Sequence, residues 1–168
     1  MNDNHNGPYN LLDGASGESV ELVAETDRQL RIAADSNLPL DKRLEAFEDI
    51  FESEVGDTSL VRARNIEREV GLRQIYLKFE GGNPTGTQKD RIAFAQAMDA
   101  LRRGFDTITV ATCGNYGVAV ALAAKFAGLH SRIVIPENYH TRRIREMNEL
   151  GAEIIRVEGD YERAVEVS

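Results

Sequence analysis

The chain has a single cysteine, Cys113, in 168 residues. A lone thiol closes no internal disulfide, which excludes a small disulfide-stapled fold and points to a reducing compartment. Long apolar runs are missing, so nothing in the sequence would span a bilayer as a helix. Residues 1–19 are polar and lack the apolar core of a secretory signal. A soluble, cytoplasmic protein with no membrane partner is expected. Positive charge is also short: the net charge is −8, which argues against a broad surface for tracking nucleic acid. There is no internal repeat and no low-complexity tract, which excludes solenoids and fibrous arrays.

What is present is a globular profile, with 42% hydrophobic and 29% charged residues. The length suffices for one ordinary domain with a buried core. Much of the acidity precedes Thr58, so the two halves of the chain need not share one surface character.

Residues 1–17, rich in Asn, Asp, Gly and Ser, are expected to form a mobile tail. Residues 18–55 are expected to be a helical N-terminal extension. Its second helix is the better marked, because Leu44, Phe47 and Phe51 fall on one face; that stripe reads as core or dimer contact. Gly56-Asp57-Thr58 breaks this helix, residues 59–62 read as a short extended piece, and a short helix through Glu67 stops at Gly71.

From Gln74 the rhythm alternates. Strands are expected over residues 75–79, 107–111, 132–135 and 153–157, where β-branched and aromatic residues concentrate. Helices fill the intervals: one with Phe94, Ala97, Met98 and Leu101 in helical register, one over 118–127 that is apolar on nearly every side, one over 141–150, and one starting at Tyr161. This pattern predicts a three-layer α/β domain over 56–168 with a parallel sheet. Ligands in such folds bind where strand carboxyl ends meet helix N-termini. The last residues read as a helix in mid-course, so a partner half of the fold is expected elsewhere.

Two loops fall at that edge. The first runs from Glu80 through Gly81-Gly82-Asn83-Pro84-Thr85-Gly86-Thr87-Gln88 to Lys89, Asp90 and Arg91. Its glycines let backbone amides approach a ligand. Lys89 sits at the positive end of a helix, a plausible place for an amine of lowered pKa that attacks an aldehyde. By composition alone, an ordinary turn followed by a solvated lysine is the commoner case. The second loop is Thr112-Cys113-Gly114-Asn115-Tyr116-Gly117, whose amides and helix N-terminus would suit a carboxylate or phosphate; a plain βα turn is an even alternative.

Taken in order, these segments resemble one family. Asn83 to Arg91 resembles the Asn-Pro-Thr-Gly-Ser-Phe-Lys-Asp-Arg signature of fold-type II pyridoxal-phosphate (PLP) enzymes, the tryptophan-synthase-β superfamily. Cys113 to Gly117 resembles their Ser-Gly-Asn-Thr-Gly loop, one βα unit later. Asp57 to Val61, Tyr76 to Glu80, Pro136-Glu137 and Gly151-Ala152-Glu153 fit the same template. Threonine synthase is the nearest resemblance and cysteine synthase the next.

The resemblance implies pyridoxal 5′-phosphate as cofactor, an amino acid as substrate, and no metal. Lys89 would bind the cofactor covalently and then move the substrate's α-proton. Asn115 would hydrogen-bond the ring's 3-oxygen. Thr112, Cys113, Gly114 and Asn115 would cradle the substrate carboxylate. Asp90 and Arg91 would support the loop rather than react. The implied chemistry is elimination or replacement on an amino acid, either threonine-synthase-like, from O-phosphohomoserine to threonine, or a cysteine-synthase-like β-replacement suggested by Lys89-Asp90-Arg91-Ile92-Ala93. Gln88, Cys113 and Ser59 depart from the family pattern at the pocket wall and lead-in. The family's glycine-rich phosphate loop and its ring-nitrogen residue come from a second half of the fold. A homodimer, or a second chain supplying that half, is the expected partner.

Other readings carry less. Cys113 could be a nucleophile if His5, His130 or His140 served as its base. A dinucleotide site would use Gly114 to Gly117 with Glu137, but the full glycine pattern is absent. A fragment that keeps the fold without turnover is the rival from outside enzymology. His140, Arg142, Arg143 and Arg145 could meet an anionic substrate group, although a solvated helix face is the simpler account.

Overall fold

The computed structural model describes residues 22–112 and 114–168. The expected tail and Cys113 lie outside the described residues. The helical pair comes first, α1 (Leu22–Ala34) and α2 (Leu40–Glu54). A short strand β1 (Leu60–Arg62), a helix α3 (Arg64–Val70) and a strand β2 (Tyr76–Lys78) follow. After a 3₁₀ turn over Glu80–Gly82, α4 (Lys89–Arg102) and β3 (Thr107–Ala111) lead to α5 (Asn115–Ala127) and β4 (His130–Pro136). The chain finishes with α6 (Arg143–Glu149), β5 (Glu153–Val157) and α7 (Tyr161–Val167).

The expected parallel sheet is β3-β4-β5, with Thr107 to Ala111 paired in parallel to His130 to Val134, and Arg132 to Pro136 paired in parallel to Glu153 to Val157. Central β4 has Ile133, Val134 and Ile135 buried on both faces, as a parallel strand between helical layers requires. Helices α5 and α6 pack on each other and on the sheet; α7 packs on the sheet and touches neither, so it covers the other face.

One expected strand pairs otherwise. The alternation around residues 75–79 suggests a member of the parallel sheet, but Tyr76–Lys78 pairs antiparallel with Leu60–Arg62 in a separate two-stranded ribbon. A content of β-branched and aromatic residues identifies a strand and says nothing about its partner. All six ribbon residues are exposed. The ligand edge of the sheet is therefore formed by the loops after β3, β4 and β5, and the Lys89 loop reaches it by way of α4.

Two clusters meet on α5. Phe47 and Ile50 of α2, Phe94, Ala97 and Leu101 of α4, and Ala123 and Ala127 of α5 belong to the larger one. Phe94 is its centre: it stacks on Phe47 at 5.8 Å between ring centroids, lies 5.9 Å from Phe51, and meets Phe126 edge-on at 6.0 Å. The smaller cluster joins Val118 and Ala121 of α5 to Ile133, Ile135, Met147 and Ala152. Burial between two clusters explains why α5 is apolar all round. The N-terminal helices share the larger core. Arg43 fastens them by donating from Nε to the Ala33 carbonyl (3.0 Å) and from Nη2 to the Ala127 carbonyl (2.8 Å).

Candidate functional site

Lys89 is the first residue of α4 and is exposed. Its backbone N–H donates to Thr87 Oγ1 (3.2 Å), and its ammonium has no hydrogen-bond or ion-pair partner among the described residues. The loop in front of it is built rigidly. Asp90 is fully buried and accepts from Thr85 twice, from the backbone N–H at 2.9 Å and from the hydroxyl at 2.7 Å. Gly86, between them, has φ +80°, a left-handed conformation that costs glycine least. The loop thus closes over the first turn of α4 by a side chain of that same turn.

A second tie runs from Arg91 to the loop before β1. Its Nε donates to Glu80 Oε2 (2.8 Å), and its Nη2 donates to Glu80 Oε1 (3.0 Å), to the Gly56 carbonyl (3.0 Å) and to Thr58 Oγ1 (3.2 Å). Asn83, nearly fully buried, closes the ring: its amide donates to Glu80, and its Oδ1 accepts from the Gly56 N–H at 3.0 Å. Gly56 is required here, because a Cβ would lie 2.8 Å from the Arg91 guanidinium and φ is +103°. The hydrogen bonds from Arg91 hold the Glu80 carboxyl down at about 2, against the opposing effect of partial burial. Asp90 and Arg91 thus act on the loop's shape.

Asn115 is the first residue of α5, directly after the β3 loop. Its Oδ1 accepts from Arg143 Nε at 3.0 Å, and its amide nitrogen has no partner among the described residues. Thr112 is buried beside it, its backbone N–H donating to the Val134 carbonyl at 3.2 Å. Gly117 lets this turn pack tightly, since a Cβ would fall 2.6 Å from Met147 Cε and 3.1 Å from Thr112 Cγ2. Gly114 has open space where its Cβ would be.

The two loops belong to adjacent helices. α4 and α5 pack along their lengths, and the Tyr116 hydroxyl is hydrogen-bonded to Gln96. Gln96 follows Lys89 by two turns of helix, about 10 Å of axial rise. Pro84 and Thr85 face Val118, Leu122, Glu146 and Leu150 across a cleft of about 320 Å³, so the first loop lies alongside α5 and α6.

Three residues of the basic cluster are exposed, His140, Arg142 and Arg145, and Arg145 pairs with Glu149 at 2.7 Å. Arg143 differs: it is largely covered and bonds both Asn115 and Glu146. Sequence reasoning grouped it with its neighbours, because its partner lies 28 positions away and only the order of the strands brings them together. The Thr58–Glu80–Arg91 tie was likewise unread beyond its last member. His130 pairs with Thr107 at the far end of β3 from Thr112, roughly 16 Å along the strand. The arrangement offers, at the starts of two adjacent helices, an amine without a partner among the described residues and an amide donor, with a βα turn beside the latter. These fit an aldehyde cofactor whose ring carries an acceptor oxygen, and an amino-acid carboxylate. No group of three or more metal-ligating side chains occurs among the described residues.

Known proteins resemble the chain along this stretch. Residues 51–168 match the family model for pyridoxal-phosphate dependent enzymes. Cysteine synthase B of Escherichia coli is 35% identical over 111 residues, 64% of this chain and 36% of that protein. Threonine synthase of Halalkalibacterium halodurans is 34% identical over 113 residues, 67% of this chain and 32% of that protein. The crystal structure of a cysteine synthase from Entamoeba histolytica superposes with a TM-score of 0.62 at 29% identity, covering 70% of this chain and 37% of the other. The chain spans about a third of the length of these relatives.

Proposed function

Since the chain belongs to the pyridoxal-phosphate dependent enzyme family, whose cofactor is pyridoxal 5′-phosphate, we propose that Lys89 is its cofactor lysine and that it serves elimination and replacement on an amino acid. The reading we favour is threonine-synthase-like, from O-phosphohomoserine to threonine. The observation that carries the proposal is that the adjacent helices α4 and α5 begin, respectively, with an amine and an amide donor that have no partner among the described residues. The bound cofactor would supply an electron sink for charge developed at the substrate's α-carbon.

The chain's own groups do the rest. The Lys89 amine would hold the cofactor through its aldehyde and would take or return the proton at the substrate's α-carbon. Asn115 would donate from its amide nitrogen to the ring's 3-oxygen. The Thr112, Cys113, Gly114 and Asn115 segment would receive the substrate carboxylate, where backbone amides at the start of α5 and its dipole favour an anion. The buried Asp90 and the Arg91–Glu80 pair would hold the loop's shape around Lys89. Phosphate and ring-nitrogen contacts are assigned to the rest of a longer chain or to a second chain; a homodimer is the other partner we propose.

A β-replacement of the cysteine-synthase kind is the second reading, favoured by the Escherichia coli relative, which is as similar as the threonine synthase. Incubation with pyridoxal phosphate, borohydride reduction and peptide mapping tests the core claim. The chain has four lysines, so the labelled one is easily identified. Lys89 should carry the label, and Lys89→Ala should abolish the visible band. Equal colour in both proteins rejects the assignment. Phosphate release from O-phosphohomoserine, set against sulfide-dependent turnover of an activated serine, separates the two substrate readings.

A further inference from the structure

Arg143 stands out among its neighbours because it spends its donors inward. Nε donates to Asn115 Oδ1 at 3.0 Å, a second nitrogen binds Glu146, and its backbone N–H is tied to Thr141 Oγ1 at 3.2 Å. Glu146 sits one turn further along α6, so the guanidinium is held from both sides.

An asparagine amide has an acceptor end and a donor end of nearly equal size. Left alone on an exposed turn, it can present either. A guanidinium has only donors. Placed against Asn115, it selects the orientation in which Oδ1 faces α6 and the NH₂ group faces away. That group is the one without a partner among the described residues. A reversed amide would set a carbonyl oxygen against the ring's 3-oxygen, two acceptors facing each other, and would also take the acceptor from Arg143 Nε.

We infer that Arg143 is a positioning residue, which fixes the Asn115 amide so that its nitrogen is offered to the cofactor's ring oxygen. The inference rests on the proposed role of Asn115. It assigns α6, which follows a different strand from α5, a part in cofactor binding through a hydrogen bond rather than through contact. The reaction's own proton steps are unaffected by it.

The test is a double-mutant cycle read by cofactor binding. The chain, Arg143→Met, Asn115→Ala and the double variant are each titrated with pyridoxal phosphate by absorbance, with a thermal melt of each. Arg143→Met and Asn115→Ala should each weaken binding roughly tenfold and shift the visible band alike, as loss of one oriented hydrogen bond would. The double variant should bind no worse than Asn115→Ala. Arg143→Lys, which keeps a donor and a charge, should recover part of the loss; it carries the test if Arg143→Met does not fold. Losses that multiply, or unaltered binding in Arg143→Met, overturn the inference while leaving Lys89 in place. A borohydride label that avoids Lys89 in the unaltered chain takes down both the inference and the reading beneath it.

Discussion

Glu80 accepts hydrogen bonds from Arg91, Asn83 and Thr58, and the three donors come from different stretches of chain. Its carboxyl titrates at about 2 in the folded protein, against 4.5 ordinarily. A carboxyl depressed by folding stabilises the folded state fully above its unfolded value, and this stabilisation is lost as pH falls from about 4.5 toward 2. Glu80→Gln removes that dependence. Melting temperatures taken across this range should show the unaltered chain ahead of the variant above pH 4.5, with the gap closing as the pH approaches 2; a gap constant with pH would contradict the assignment. Lys89 and Asn115 could be proposed from the sequence because each sits in a contiguous segment that resembles a motif of the family. Arg91's partner and Arg143's partner could not, because each bond crosses a loop whose path is set by packing elsewhere.

Phe94 shows how the elements depend on one another. Its ring touches Phe47 and Phe51 from α2 and Phe126 from α5, so α4 is locked between them. Phe94→Ala should cost about 3–5 kcal/mol of unfolding free energy, the usual range for emptying such a site. Denaturant titration measures it; a loss below about 1 kcal/mol would mean that the cluster does not hold the helices together. The helical stripe of Phe47 and Phe51 was legible from spacing alone, and so was the all-round apolar character of α5. The partner of β2 was not, because aromatic and aliphatic residues suit an antiparallel ribbon and a parallel sheet equally well. That difference matters for the site. The strand before Lys89 does not aim the loop; the Arg91–Glu80 tie and the Asp90–Thr85 pair do so instead.

At the scale of the whole molecule, the ribbon of β1 and β2 leaves Leu60, Val61, Tyr76, Leu77 and Phe79 each at least half exposed. Oily side chains that are half wet before the chain melts add correspondingly less to solvent when it does. The heat absorbed per degree on unfolding should therefore fall short of the roughly 2 kcal/mol/K expected for a globular chain of 168 residues, and the urea slope should be correspondingly shallow. Scanning calorimetry decides the point: a full-sized heat-capacity step would mean that these side chains are sheltered in solution, and their reduced calorimetric share is the thermal signature of a surface that the fold has left undressed.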